Sequence, residues 1–573
     1  MSSGVGISFA ERIRVRDGTA LAAHLYRPHG SGPLPVVLSF TPYGADYQME
    51  TGLRIAARDY AYLVVECRGR GDSEGHFAVY EDTPDVVDAI AWAAVQPWSD
   101  GRVVLQGGSY AGLLQWPVAA ARPPALIGIT PLVAPMPGHD SDYWGGVFPY
   151  YTVQWARLVS GRSPKWRIFG HPQVFRDELA RHATSGAPAR AMMRATCPGD
   201  TTLARILAQV QPGPEWDFAR PDAAGFTRID VPALSITGAA DSALRGAIRY
   251  FEQHDSHAVT GSLRRLVIGP WTHAGARLPE RLEGDGEGPD PLADLAFADE
   301  LEISWFDYLI GRGPLPELLQ HKVSVFVAGE EAWRTAPSLA ALVDEVLEFN
   351  LDPADQPCDE RRPGRLGAAS EEGVRAATAA FIYDPADLRY GALEASGAVG
   401  DLFMIMSGEF PWEAGPSDNL FGQGLRFESR AFAEPVVLLG APELLLHLRL
   451  DVPDTDLMYL LQAVLPDGRA LLLSADMLRL RYRGWDGSER LMTPGESGLV
   501  RFEGARFVAR RLPAGTALRL TIRAPASIYL ERHRNRSGPV REQGAEGAAT
   551  AHIEVLCGSV EGSRLRIPTA RPR

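Results

Sequence analysis

The chain has 573 residues, 45% of them hydrophobic and 22% charged, a balance typical of globular proteins that excludes disordered and fibrous classes. Its 57 basic and 71 acidic residues give a formal charge of −14, which argues against nucleic acid or an anionic membrane as the default partner. At roughly 150 residues per domain the length allows about four domains; the elements in chain order support three.

Strand-like alternation runs through Ile13, breaks at Asp17-Gly18 in a hairpin signal, and resumes from Leu21 through His24 to Tyr26. Short apolar runs follow at Leu34 to Phe40, Tyr62 to Val65, Val103 to Leu105 and Leu126 to Ile129. They are apolar on both faces, as strands of a parallel sheet covered on each side must be. Between them, Thr83-Pro84-Asp85 opens a helix through Trp92 with a capping threonine, a proline at the first position and an acid in the first turn. A second helix is predicted from Tyr110 to Ala120. Alternating strand and helix predict a parallel α/β domain.

The pattern lapses from Gly138 to Asp222, with helix-like segments around Phe175 to His182 and Leu203 to Val210, and resumes at Val231 to Ile236 and Arg265 to Ile268. An inserted helical cap accounts for this most simply. After about residue 345 the helical signal nearly disappears, and alternation such as Glu443 to Leu450 with the turn Pro466-Asp467-Gly468 describes an antiparallel sandwich or barrel. The segment Cys358 to Ala377 reads as a surface loop. The expected domains are therefore 1–137 with 223–345 as the α/β core, 138–222 as the cap, and 346–573 as the β-sandwich.

Gly107-Gly108-Ser109-Tyr110-Ala111-Gly112 directly follows the apolar run ending at Leu105. A serine hydroxyl is a poor nucleophile at neutral pH and needs a base, which in turn needs an acid to fix its tautomer. The same residues also read as a Gly-rich turn without chemistry, and short Gly/Ser motifs recur often by chance. Placement between a strand and a helix is the confirming context for a nucleophile elbow, although Ala111 stands where Gly-x-Ser-x-Gly has its second glycine.

In an elbow of this type the chain order is Ser, acid, His. Asp241 and His273 each end a predicted strand in that order, and the carboxyl ends of strands are where catalytic groups of open α/β sheets collect. His254 and His257 fall at a helix end, where an exposed cation is the plain reading, and His447 lies within the sandwich alternation. The Tyr110 amide is the first oxyanion donor. The loop after Phe40 reads Thr41-Pro42-Tyr43-Gly44 and has no Gly-Gly pair, so a tyrosine hydroxyl is the candidate second donor.

Pro42-Tyr43, Arg68-Gly69-Arg70-Gly71-Asp72-Ser73-Glu74-Gly75, Gln96-Pro97-Trp98-Ser99-Asp100-Gly101, the Ser109 elbow and Gly269-Pro270-Trp271-Thr272-His273 together resemble the cocaine esterase and X-prolyl dipeptidyl peptidase family of serine hydrolases. The likeness continues in Asp384-Pro385, Pro453-Asp454-Thr455-Asp456 and Leu465 to Arg469. It implies an α/β-hydrolase core, a helical cap and a C-terminal jelly-roll-like domain. Its elbow carries Tyr after the nucleophile and Gly three places on, which accommodates Ala111. By the same likeness Ser109 attacks, Asp241 and His273 complete a triad, and the Tyr43 hydroxyl donates to the oxyanion. After Asp384-Pro385 the family has a Pro- and Gly-rich turn, whereas this chain reads Ala386 to Tyr390. Trp144, in a segment resembling a pocket wall, is a substrate-contact candidate; packing in the cap's own core is the alternative.

The Arg68 to Gly75 loop lacks the Gly-Lys-[Ser/Thr] ending of a phosphate loop. Asp46, Glu50, Asp140 and Asp142 would bind a substrate ammonium if they converge; otherwise they are solvated acids. The four cysteines (Cys67, Cys197, Cys358, Cys557) lack Cys-x-x-Cys spacing, so neither a disulfide framework nor a metal site is suggested, and no cofactor is expected. No signal peptide is legible, and no apolar run reaches about 18 residues, so a cytoplasmic location is expected. The expected activity is hydrolysis of a small-molecule carboxylic ester. Amide or peptide hydrolysis and acyl transfer with the same triad are the alternatives, and a glycan- or partner-binding role for an inactive core comes further behind. Homo-oligomerisation is left open.

Overall fold

The computed structural model describes residues 4–196, 201–208, 216–258, 261–273, 295–353, 358–368, 376–400, 402, 423–484, 486–558 and 562–573. Its first unit is built on a ten-stranded sheet: β1 (Val5–Arg14), β2 (Ala20–Pro28), β3 (Leu34–Thr41), β4 (Ala61–Glu66), β5 (Ser99–Gly108), β6 (Leu126–Leu132), β7 (Ala233–Ala240), β8 (Arg264–Thr272), β9 (Val323–Val327) and β10 (Ala332–Ala336). The spatial order is β1-β2-β4-β3-β5-β6-β7-β8-β9-β10. Strands β3 to β9 run parallel, and β1, β2 and β10 are antiparallel edges.

Every residue of β3 and β4 is buried, which is why these strands read as unbroken apolar runs. Successive residues nevertheless serve opposite faces. Val36 and Leu38 pack with Val86, Ile90 and Trp116 on one side. Val37, Val64 and Val104 pack with Ile55, Trp305 and Phe306 on the other. Each such side chain contributes about 1.5–3 kcal/mol on burial. Because β4 lies on one side of β3 and β5 on the other, strand order reverses there. The carboxyl ends of β3 and β5 therefore bound the crevice where ligands of open α/β sheets settle.

Between β6 and β7 the chain forms helices Tyr151–Val159, Arg167–Gly170, Pro172–Ser185, Ala189–Thr196 and Thr201–Ala208. The predicted helix from Tyr110 is two, Tyr110–Leu113 and Gln115–Ala121. The end of the segment predicted from Leu203 to Val210 lies partly outside the described residues.

Beyond residue 345 the regular structure of the described residues is mainly β, one hydrogen-bonded network of thirteen strands, with one α-helix at Arg389–Ser396. Its interior is aliphatic, with Leu351, Leu446, Leu461 and Leu520 fully buried. The stretch expected as a loop from Cys358 to Ala377 instead carries the strand Gly364–Ala368, which pairs parallel with Gly424–Ser429. It escaped the sequence reading because its Gly, Arg and Ala composition has no strand signal. The chain after β6 also docks on this β unit: Tyr150 N–H donates to Tyr529 O at 2.8 Å, and Arg479 N–H donates to Gly145 O at 2.7 Å.

His254 is not the exposed cation expected of it. It is buried edge-on to Trp116, ring centroids 5.6 Å apart, and burial pushes its pKa down to about 4. A helix end is exposed only when nothing packs over it; here the Trp116 indole does.

Candidate active site

Ser109 follows β5 directly and caps the helix Tyr110–Leu113 with φ 58° and ψ −120°. A non-glycine residue in that conformation is strained and persists only where its surroundings enforce it. The close approaches that enforce it are visible at two glycines. A Cβ on Gly107 would lie 2.7 Å from the Ala111 Cβ, and one on Gly112 would lie 2.6 Å from Leu132 O. Glycine is therefore required two before and three after the serine, while position 111 tolerates a methyl. Ser109 N–H is anchored on Leu132 O at 3.0 Å.

Asp241 and His273 stand one residue beyond β7 and β8, neighbouring strands. His273 Nδ1 lies 2.7 Å from Asp241 Oδ1. The same carboxylate accepts Ala243 N–H at 2.8 Å and the Thr237 hydroxyl at 2.6 Å, so the buried acid is held rigidly. With Nδ1–H directed to the acid, Nε2 remains as the basic nitrogen. Ser109 and His273 line one cavity of about 160 Å³, together with Tyr43, Tyr110 and Trp155.

Tyr43 lies two residues past β3, on the other side of the switch point from Ser109. Its hydroxyl accepts the Trp155 indole N–H at 3.1 Å, and its amide donates to Thr41 Oγ1 at 3.1 Å. The Tyr110 amide opens a helix and so has no intrahelical acceptor. The Tyr110 ring stacks between Tyr80 (5.6 Å) and Trp155 (5.8 Å), and its hydroxyl donates to Asp82 at 2.7 Å.

Of the four candidate acids, Asp140 and Asp142 line the cavity; Asp46 and Glu50 are exposed and do not. Asp142 accepts the Tyr80 hydroxyl at 2.7 Å, and Asp140 accepts the amides of Met136, at 2.8 Å, and Gly246. Burial pushes both carboxyls up to about 6.

Trp144 is a correction. Its ring is buried against Met458, Leu460 and Met477 of the β unit, its N–H donates to Asp476 Oδ1 at 2.8 Å, and the Arg245 guanidinium lies over it at 4.8 Å. It is absent from the cavity wall, because docking of the two units buries it first. The altered turn at Ala386 to Tyr390 likewise contributes no residue to the wall.

The role of Arg70 was missed. Fully buried, it donates from Nε to Pro42 O at 2.8 Å and from Nη1 to Val159 O at 2.6 Å, tying the Tyr43 loop to the end of the helix Tyr151–Val159. The Gly-rich motif around it is thus structural, and its unusual density of Gly and Arg was the available signal. Among the described residues no group of His, Cys, Asp and Glu is arranged to hold a metal ion. Likewise, no helix among them is long and apolar enough to cross a membrane.

Residues 17–275 match the family model for the X-Pro dipeptidyl-peptidase (S15 family), and residues 320–563 match that for the X-Pro dipeptidyl-peptidase C-terminal non-catalytic domain. The chain belongs to the cocaine esterase and X-Pro dipeptidyl-peptidase family of α/β-hydrolases. It is 26% identical over 580 aligned residues to the cocaine esterase of Rhodococcus sp. (strain MB1 Bresler), covering 97% of each chain. The fold is shared with an aminopeptidase from a Thaumarchaeota archaeon (TM-score 0.80, 19% identity, 100% of this chain and 97% of that one). It is shared equally with an α-amino acid ester hydrolase (TM-score 0.79, 19% identity, 99% and 97%). The family is of serine-hydrolase type, so the chain is a hydrolase of ester or peptide bonds.

Proposed function

We propose that the protein hydrolyses carboxylic esters through an acyl-enzyme on Ser109. The observation that carries this is the strained Ser109 elbow facing the same cavity as a His273 already paired with Asp241. In the first step His273 Nε2 takes the Ser109 hydroxyl proton as Oγ bonds to the carbonyl carbon. The oxyanion accepts hydrogen bonds from the Tyr110 amide and the Tyr43 hydroxyl. Collapse breaks the bond to the leaving alkoxide, which takes the proton from the imidazolium; water then repeats the sequence on the acyl-enzyme. A cavity of about 160 Å³ walled by Tyr43, Tyr80, Leu113 and Trp155 suits one small apolar acyl group, near the size of a benzene ring.

A second reading is favoured by one observation. Asp140 and Asp142 share the wall with Ser109, and among the described residues no Lys or Arg does. Two carboxylates facing a cavity attract a cation, so α-amino acyl esters or amides are the alternative substrates. The test combines trapping with a fluorophosphonate and parallel turnover of p-nitrophenyl esters, with and without an α-amino group, and of amino-acid p-nitroanilides. A single adduct on Ser109 and loss of all turnover in Ser109→Ala are expected. An adduct elsewhere, or residual full activity in the variant, excludes the assignment. Preference for the amino-substituted ester selects the second reading.

A further inference from the structure

The run Glu531-Arg532-His533-Arg534-Asn535-Arg536 places basic side chains at every second position. His533 and Asn535 turn into the β unit: His533 Nε2 lies 2.8 Å from Asp454, and Asn535 Nδ2 donates to Ala549 O at 2.7 Å. Arg532 and Arg534 therefore face the other way, towards the helices between β6 and β7. There they line a small cavity with His182, Tyr150, Ser527 and Gln543.

What these two guanidinium groups meet is neutral. Arg532 Nη1 donates to Pro385 O at 3.1 Å and Asp387 O at 3.2 Å, and Arg534 Nη1 donates to the same Pro385 O at 3.1 Å. Arg532 Nη2 and Arg534 Nε are buried and have no hydrogen-bond partner among the described residues. Arg534 as a whole is only 5% exposed.

Nearby carboxylates are engaged elsewhere. Glu531 pairs with Arg479 at 3.0 Å. Glu394 accepts the Ser527 hydroxyl and the Ile528 amide, both at 2.7 Å. Asp387 pairs with Arg389 and accepts from Gln423. Among the described residues, none that lines the cavity carries a carboxylate. Nor does His182 offset the charge: burial, with Arg534 and Arg532 beside it, pushes its pKa down to about 4, so it is neutral at pH 7.

A buried guanidinium needs a counter-charge or a full set of acceptors, because desolvation of the cation is otherwise uncompensated. The cavity offers about 20 Å³, more than the roughly 10–15 Å³ that one water requires.

We propose that this cavity is a binding site for one small monovalent anion of chloride size, held by Arg532 Nη2 and Arg534 Nε, which locks the helical insertion onto the β unit. The site lies outside the catalytic cavity, and neither arginine takes part in the reaction described above. It is also independent of which acyl group the enzyme accepts.

Thermal unfolding of the full chain tests it, with sodium chloride or sodium bromide titrated into sodium gluconate at constant ionic strength. The melting temperature is expected to rise saturably by about 2 °C with either halide, as for any ligand that binds only the folded state. Arg534→Met should remove the response. Should that variant fail to fold, Arg532→Gln serves the same purpose, since Arg532 is the less buried residue of the two. Equal melting temperatures in halide and gluconate would overturn the proposal and leave water as the occupant. A halide response that persists in the folded variant would overturn it as well, since the anion then binds elsewhere.

Discussion

Replacing Tyr43 by Phe removes one oxygen from the site and separates two effects that the geometry keeps apart. The hydroxyl accepts the Trp155 N–H at 3.1 Å, which fixes the phenol at the cavity wall, and in the proposed mechanism it donates its own proton to the developing oxyanion. Loss of one preorganised oxyanion donor raises the barrier by about 2.7–4 kcal/mol, a fall in kcat of about 10²–10³. The stability term is smaller. The indole N–H loses its acceptor, but Trp155 is only partly buried and water replaces the bond, so the cost stays near or below about 1 kcal/mol. Acylation measured by stopped flow with a p-nitrophenyl ester should therefore slow by at least about a hundredfold, with KM and melting temperature little changed. Trp155→Phe keeps the donor but frees its orientation, and a loss of about tenfold is expected. If Tyr43→Phe acylates within about threefold of the parent, the hydroxyl does not stabilise the transition state and the oxyanion site must be sought elsewhere.

Gly112→Ala puts a methyl 2.6 Å from the Leu132 carbonyl, backbone that cannot step aside, so a loss of about 1–3 kcal/mol in urea unfolding is expected, with slower acylation. An unchanged midpoint would mean that the elbow yields. Trp144→Phe should leave KM for every ester unaltered and lower the urea midpoint by about 1–3 kcal/mol, because buried Asp476 loses the indole donor. A large KM effect would return Trp144 to the cavity. Asp140 and Asp142 titrate near 6, above the ordinary carboxyl range, so they are anionic above that pH and neutral below it. KM for an α-amino ester should rise as pH falls through about 6, while KM of its des-amino analogue stays flat. Parallel profiles would remove these acids from substrate recognition.

The arrangement of the site was legible wherever local sequence carries a local constraint. Gly107, Ser109 and Gly112 announce the elbow because only glycine fits beside Ala111 Cβ and Leu132 O. Asp241 and His273 were found because they end strands. Trp144 misled because an aromatic residue in a loop has the same signature whether it meets substrate or another domain. His254 misled because nothing near it in sequence reveals Trp116, and Arg70 because its acceptors lie at residues 42 and 159. The strand Gly364–Ala368 forms despite its composition, since pairing with Gly424–Ser429 outweighs weak propensity.

Periodicity, glycine placement and chain order thus determined by themselves the α/β core and the β-rich C-terminal half, and singled out Ser109, Asp241 and His273 as candidates, with Tyr43 added by the family resemblance. These follow from backbone sterics and from burial of adjacent faces, which act over a few residues. Only the tertiary structure decided which acids face the cavity, that Trp144 belongs to the interface between units, and that Arg532 and Arg534 line one cavity. Such outcomes depend on which surfaces meet when distant segments pack, and desolvation is a property of the packed assembly that no single stretch of chain encodes.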